Sequence, residues 1–137
     1  MKLVRVNNRM MRVAGFVLLA YGAIEVVDCV MVFLMSMGWV ENIYPRLVFP
    51  PMQNVFDEHP VSLLCLFIFF TVLRLGAGYG ILKNRLWGVG MAVVVTASTI
   101  IFIPFWLPAS CGDALFNLVV IIALLLGYFG KRKACSL

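Results

Sequence analysis

Four long apolar stretches constrain this chain more than any other feature: Val13 to Gly38, Val61 to Leu82, Leu86 to Leu107 and Ala114 to Gly130. A helix crossing roughly 30 Å of hydrocarbon needs about 20 residues, with a range near 17–25, and all four stretches fit, the last narrowly. In lipid the backbone must satisfy its own hydrogen bonds, so only helices and closed barrels span it; these stretches are too long and too uniformly apolar for barrel strands. The composition agrees. The 137 residues are 64% hydrophobic and 12% charged, where soluble domains run to about 45–50% apolar and about 25% charged. The expected fold is an all-α integral membrane protein, a single four-transmembrane-helix bundle over residues 1–137.

The start of the chain also fits a signal peptide in outline, with MKLVRVNNRMMR as the basic region and VAGFVLLAYGAI as the apolar one. The apolar stretch continues to Gly38, well past such a region, and Cys29 follows Asp28 rather than a small residue. The reading adopted is a retained first span.

Charge sets the orientation. Lys2, Arg5, Arg9 and Arg12 precede the first span, Lys83 and Arg85 join the second to the third, and Lys131, Arg132 and Lys133 follow the fourth. All nine share one side with no acid among them, whereas Glu41, Asp57, Glu58 and Asp113 lie opposite, with Arg46 alone against them. The positive-inside rule then puts both termini in the cytoplasm. The net charge of +5 is accounted for by topology and by contact with anionic headgroups, so no nucleic-acid partner is called for.

The connections differ in kind. Only Lys83, Asn84 and Arg85 separate spans two and three, a tight helical hairpin. The long outer loop from Trp39 to Pro60 carries four prolines, which forbid one continuous helix, and aromatic residues suited to an interfacial segment. It is read either as a functional loop or as a lid on the bundle. Asp113, just ahead of the fourth span, reads as an N-cap.

Inside the spans lie only three charged side chains: Glu25 and Asp28 on the first, Arg74 on the second. Each costs roughly 2.5–3.5 kcal/mol at mid-bilayer on insertion scales, so partners are required. At about 1.5 Å per residue, Glu25 sits roughly 18 Å and Arg74 roughly 12 Å from the same edge, within reach of a long Arg side chain. Asp28 lies a turn further on, on the Glu25 face. The expected network pairs Arg74 with Glu25, and Asp28 either joins it or faces a wetter cavity. With both acids ionised, two negatives against one positive leave −1. The triad then either locks two helices in register or leaves one acid to bind a proton or cation along a transport path.

Gly76 and Gly80 form a GxxxG pair, a surface for close helix approach either within the chain or between chains. Gly15, Gly22 and Ala23 on the first span, and Gly88, Gly90 and Ala92 on the third, are candidates to face it. Gly76, Gly78 and Gly80 lie inside a span, which excludes a dinucleotide fingerprint. The four cysteines are dispersed and form no CxxC pair, and His59 is the sole histidine, so no disulfide framework, metal site or other cofactor is expected. Ser62, Thr96, Ser98 and Ser110 have no histidine base within the spans, so the chain is read as not an enzyme.

The stretch R-L-x-A-G-x-G-I-L-K-x-R-x-W-G, from Arg74 to Gly88, resembles a pattern in small prokaryotic four-span membrane proteins. The resemblance covers about residues 74–105 and implies the hairpin, the topology and a prokaryotic inner (plasma) membrane, with no activity attached. Small multidrug transporters also have four short spans and a membrane-embedded Glu on the first. Glu25 is the one position similar to it, while the long outer loop, Asp28 and Arg74 depart from that pattern. The leading expectation is a non-enzymatic accessory or assembling subunit that partners the lipid bilayer, other membrane subunits or copies of itself. The alternative is a homo-oligomeric ion or proton-coupled transporter or channel using Glu25 or Asp28.

Overall fold

The computed structural model describes residues 9–41, 54, 58–105 and 110–129. Among them are four α-helices and no strand: α1 (Arg9–Ser36), α2 (Pro60–Leu82), α3 (Leu86–Phe102) and α4 (Cys111–Phe129), with a 3-10 turn at Ile103–Phe105. Packing runs in a ring, α4 on α1, α1 on α2 and α2 on α3, closed most lightly between α3 and α4. α1, α2 and α4 are each long and apolar enough to cross a membrane, and α3 is a shorter apolar helix. That is the length and composition of an integral membrane protein.

Local chemistry sets the helix ends. α1 stops where Gly38 takes φ +74°; the Trp39 and Gly38 amides then donate back to the Leu34 and Met35 carbonyls at 3.1 and 3.0 Å. α2 stops in the same way with Asn84 at φ 55°, its amide donating to Ile81 and that of Arg85 to Gly80, at 2.9 and 2.8 Å. Both are Schellman closures, which need a left-handed residue, and Asn is one of the few non-glycine types that adopts it readily. The three-residue hairpin follows from this closure. α2 opens with Pro60 at its first position, where a missing N–H costs nothing.

Three boundaries differ from expectation. α1 already runs from Arg9, the first described residue, ahead of the expected Val13, and Met11 is buried against Gly127 of α4. α3 ends at Phe102, ahead of the expected Leu107, and tightens into the 3-10 turn: Ile103 keeps helical angles (φ −47°, ψ −47°), but Pro104 has no N–H to continue the ladder. α4 begins at Cys111, so Asp113 lies inside its first turn rather than at its cap. The amphipathic reading of the outer loop and the flanking Lys2, Arg5, Lys131, Arg132 and Lys133 lie outside the described residues.

The core is centred toward the hairpin end. Met11, Ala14 and Leu18 of α1 meet Ala77 and Ile81 of α2, Ala92 of α3, and Val120 and Ala123 of α4. At Gly80 and Gly88 the backbones of α2 and α3 nearly touch: a Cβ on Gly88 would fall 2.5 Å from the Gly80 carbonyl carbon and the Ile81 nitrogen. Gly78 of α2 similarly faces the Gly15 carbonyl and Leu19 of α1. Gly76 is looser, meeting only the end of the Met91 side chain at 3.3 Å. The small-residue surface is therefore used within the chain, through Gly80 and Gly78. Outward-facing side chains stay apolar, with Phe16 63%, Ile101 67% and Leu115 67% exposed, as lipid-facing positions require.

Candidate functional site

Above the close-packed glycines the bundle widens around Arg74, which is 2% exposed at the middle of α2. Tyr21 and Glu25 stand four residues apart on α1, one above the other on its buried face. Arg74 Nη1 ion-pairs with Glu25 Oε1. Its Nη2 donates to Thr99 Oγ1 of α3 at 2.5 Å, and that hydroxyl donates in turn to the Val95 carbonyl at 2.8 Å. The guanidinium carbon lies 4.0 Å from the centroid of the Tyr21 ring, a cation–π contact. Tyr21 also stacks on Phe116 of α4, 5.0 Å between centroids and 7° from parallel. A planar, rigid, permanently charged fork suits these three simultaneous contacts, which the point charge of a Lys does not. Through them one side chain ties α2 to α1 and α3 directly, and to α4 through Tyr21.

Asp28 is not part of this staple. It is half-buried one turn beyond Glu25, and among the described residues it makes no ion pair with Arg74; the charged neighbour it feels is Asp113. Asp113, in the first turn of α4, also interacts with the Tyr21 hydroxyl and the Arg74 charge. The negative charge expected at a helix N-terminus is therefore turned inward toward the network. Glu25, Asp28 and Asp113 against Arg74 make three negatives to one positive, a formal −2 where two acids and one base predicted −1. Beside Asp28, Cys29 Sγ contacts Thr71 Oγ1 at 3.5 Å, and Thr71 donates to its own helix at the Phe67 carbonyl.

A partly open cavity of about 60 Å³ lies beside the ion pair. At roughly 10–15 Å³ of such volume per water, it has room for about four. Its polar lining is Glu25, Arg74, Thr99, Ser110 and Asp113, and Phe67, Phe70 and Phe102 form much of its apolar wall. Ser110 is held by donating to the Ile103 carbonyl at 3.0 Å. Three buried polar atoms of the staple have no hydrogen-bond partner: Glu25 Oε2, Arg74 Nε and Arg74 Nη1, the last engaged only through the ion pair. Buried groups of this kind are costly to leave unpaired.

Tyr21, Thr99, Asp113 and Phe116 belong to the site but were not singled out for it by sequence. Tyr21 carried a usable signal, being four residues before Glu25 on the same face. Thr99 and Phe116 carried none, because their roles depend on how α3 and α4 are rotated. Among the described residues no group of three metal-ligating side chains comes together. No family model, curated protein or solved structure matches the chain.

Proposed function

We propose that the chain is a small, non-enzymatic integral membrane protein, an accessory or assembling subunit whose four helices all cross the bilayer with both termini cytoplasmic. The observation that carries this reading is Arg74, whose contacts with Glu25, Thr99 and Tyr21 reach every helix of the bundle. A charge held by so many fixed partners is suited to holding helices together, and poorly suited to releasing a partner in each cycle of transport. For the fourth crossing, α3 with its 3-10 turn spans Leu86 to Phe105, about 31 Å at roughly 1.5 and 2.0 Å per residue. For the orientation, the support is the charge asymmetry: Arg9 and Arg12 lie in the first turn of α1, and Lys83 and Arg85 flank the hairpin at the same end of the bundle. A bundle with so little interior is well served by partners, and copies of itself or other membrane subunits fill that role.

The reading is tested by solubilising the tagged chain from its native membrane in mild detergent and weighing the complex by native mass spectrometry. A defined assembly larger than one chain is expected. The alternative, an ion or proton-coupled transporter or channel using Glu25 or Asp28, is favoured by Asp28, which makes no ion pair with Arg74 among the described residues, and it predicts a different outcome. If Glu25→Gln or Asp28→Asn leaves the fold intact yet abolishes ion or proton flux in proteoliposomes, the subunit reading is wrong.

A further inference from the structure

The cavity beside Arg74 is built asymmetrically. Two carboxylates, Glu25 and Asp113, and one guanidinium line it, so its walls carry a net charge of −1. Arg74 is already committed to Glu25 Oε1 and Thr99 Oγ1, which leaves Asp113 without an ion pair among the described residues. Glu25 is 7% exposed, and its second oxygen is an acceptor with no donor. Arg74 Nε is a buried donor without an acceptor, but the net charge and the Glu25 oxygen together favour an occupant that brings positive charge and N–H or O–H donors. Water supplies donors without the charge. A hard metal ion supplies charge but wants six or more oxygen ligands, and a wall rich in Phe67, Phe70 and Phe102 does not provide them. An ammonium group supplies both, and aromatic faces stabilise a cation and accommodate the carbon attached to it.

We propose that this cavity binds a small primary ammonium group, either a free alkylammonium or the amine of a lipid headgroup. The ammonium donates to Glu25 Oε2 and to the Asp113 carboxylate, with its alkyl carbon against the phenylalanines. This site is independent of the stapling role of Arg74, which stands whether or not the cavity is filled.

The test is calorimetric titration of the full chain in phosphatidylcholine nanodiscs with methylammonium, against tetramethylammonium, sodium and acetate at matched ionic strength. Methylammonium is expected to bind. Tetramethylammonium has the charge without any N–H, and it is expected to bind at least roughly tenfold more weakly. Asp113→Asn should weaken methylammonium by roughly tenfold or more, and Asp113→Glu should restore it. Nanodiscs containing phosphatidylethanolamine separate the two sources. A loss of apparent affinity there marks the headgroup as occupant, and unchanged affinity marks a free amine; both uphold the site. No heat with methylammonium, equal binding of sodium or tetramethylammonium, or preference for acetate would each overturn it. Because the ion series uses the unaltered chain, the result stands even if the Asp113 variants fold poorly.

Discussion

The two halves of this bundle solve the same packing problem by opposite means. Toward the hairpin, α2 and α3 meet through Gly80 and Gly88, and α1 meets α2 through Gly15 and Gly78, with no polar side chain in the contact. Toward the other end, the helices are held by a guanidinium, a carboxylate, a hydroxyl and two stacked rings, with a cavity left beside them. In lipid there is no hydrophobic drive to bring apolar helices together, so association depends on close van der Waals contact or on polar bonds. Contact needs small residues and leaves no room. Polar bonds tolerate a gap, because directional partners fix the geometry without filling the volume. A site that must admit something is therefore built in the polar half.

Breaking the polar half should have the largest effect. Arg74→Leu leaves Glu25 buried beside an apolar side chain and removes the tie to α3 and the ring below. Losing one partner of a buried pair costs about 3–5 kcal/mol in soluble proteins. A comparable loss is expected in reversible SDS unfolding of the micellar protein. Glu25→Gln combined with Arg74→Gln should recover more than half of it, since no uncompensated charge is then left. If the double variant is as unstable as Arg74→Leu, the ion pair is not what holds this half.

The contact half should be next. A Cβ at Gly88 would meet backbone atoms of α2 at 2.5–2.7 Å, which no rotamer change can relieve, so Gly88→Ala must push two helices apart. Overpacking of this kind costs about 1–3 kcal/mol. The same denaturation series checks it. Gly76→Ala is the internal comparison: its Cβ would meet only the flexible end of Met91 at 3.3 Å, and a smaller loss is expected.

What could be read from sequence divides along the same line. The helices, the hairpin and the depth match between Glu25 and Arg74 follow from length, period and rise, which are local properties. Three side chains depended on information the sequence does not hold. The apolar stretch from Ala114 makes Asp113 a cap, whereas α4 starts at Cys111 and holds Asp113 within its first turn. Asp28 shares a face with Glu25, yet three steps of about 100° leave it about 60° round the helix and about 4.5 Å further along, and only Glu25 pairs with Arg74. Thr99 is one of several hydroxyl residues on α3, and only the rotation of that helix distinguishes it from Thr96, whose hydroxyl is buried with no partner. Side-chain partners across helices require the tertiary arrangement.

Thr99→Val sharpens the polar half without dismantling it. The shape is nearly kept and the Arg74–Glu25 pair remains, but Nη2 loses its acceptor. A buried donor left unpaired costs about 1–3 kcal/mol, and the lower part of that range is expected because the neighbouring cavity can supply water. Serine at the same position should restore most of the loss. Equal instability of the Val and Ser variants would mean that packing at Thr99, rather than its hydroxyl, matters.

The smallest effect separates contact from mere helix content. Gly90 lies on α3 half a turn from Gly88, and a Cβ there would meet nothing within 4 Å. Replacing it with Ala removes backbone freedom from the unfolded chain and adds no clash, worth about 0.5–1 kcal/mol of stability in a water-exposed helix. In lipid the unfolded reference is already helical, which shrinks this gain, so a change between zero and about 0.5 kcal/mol in the stabilising direction is expected. The sign is the informative part. Gly88 and Gly90 share a helix, a residue type and nearly the same depth, so opposite signs isolate the α2–α3 contact as the cause of the loss at Gly88. A destabilised Gly90→Ala would instead indicate that α3 needs glycine for its own backbone, and the close approach at Gly80 would lose its standing as the feature that holds the contact half.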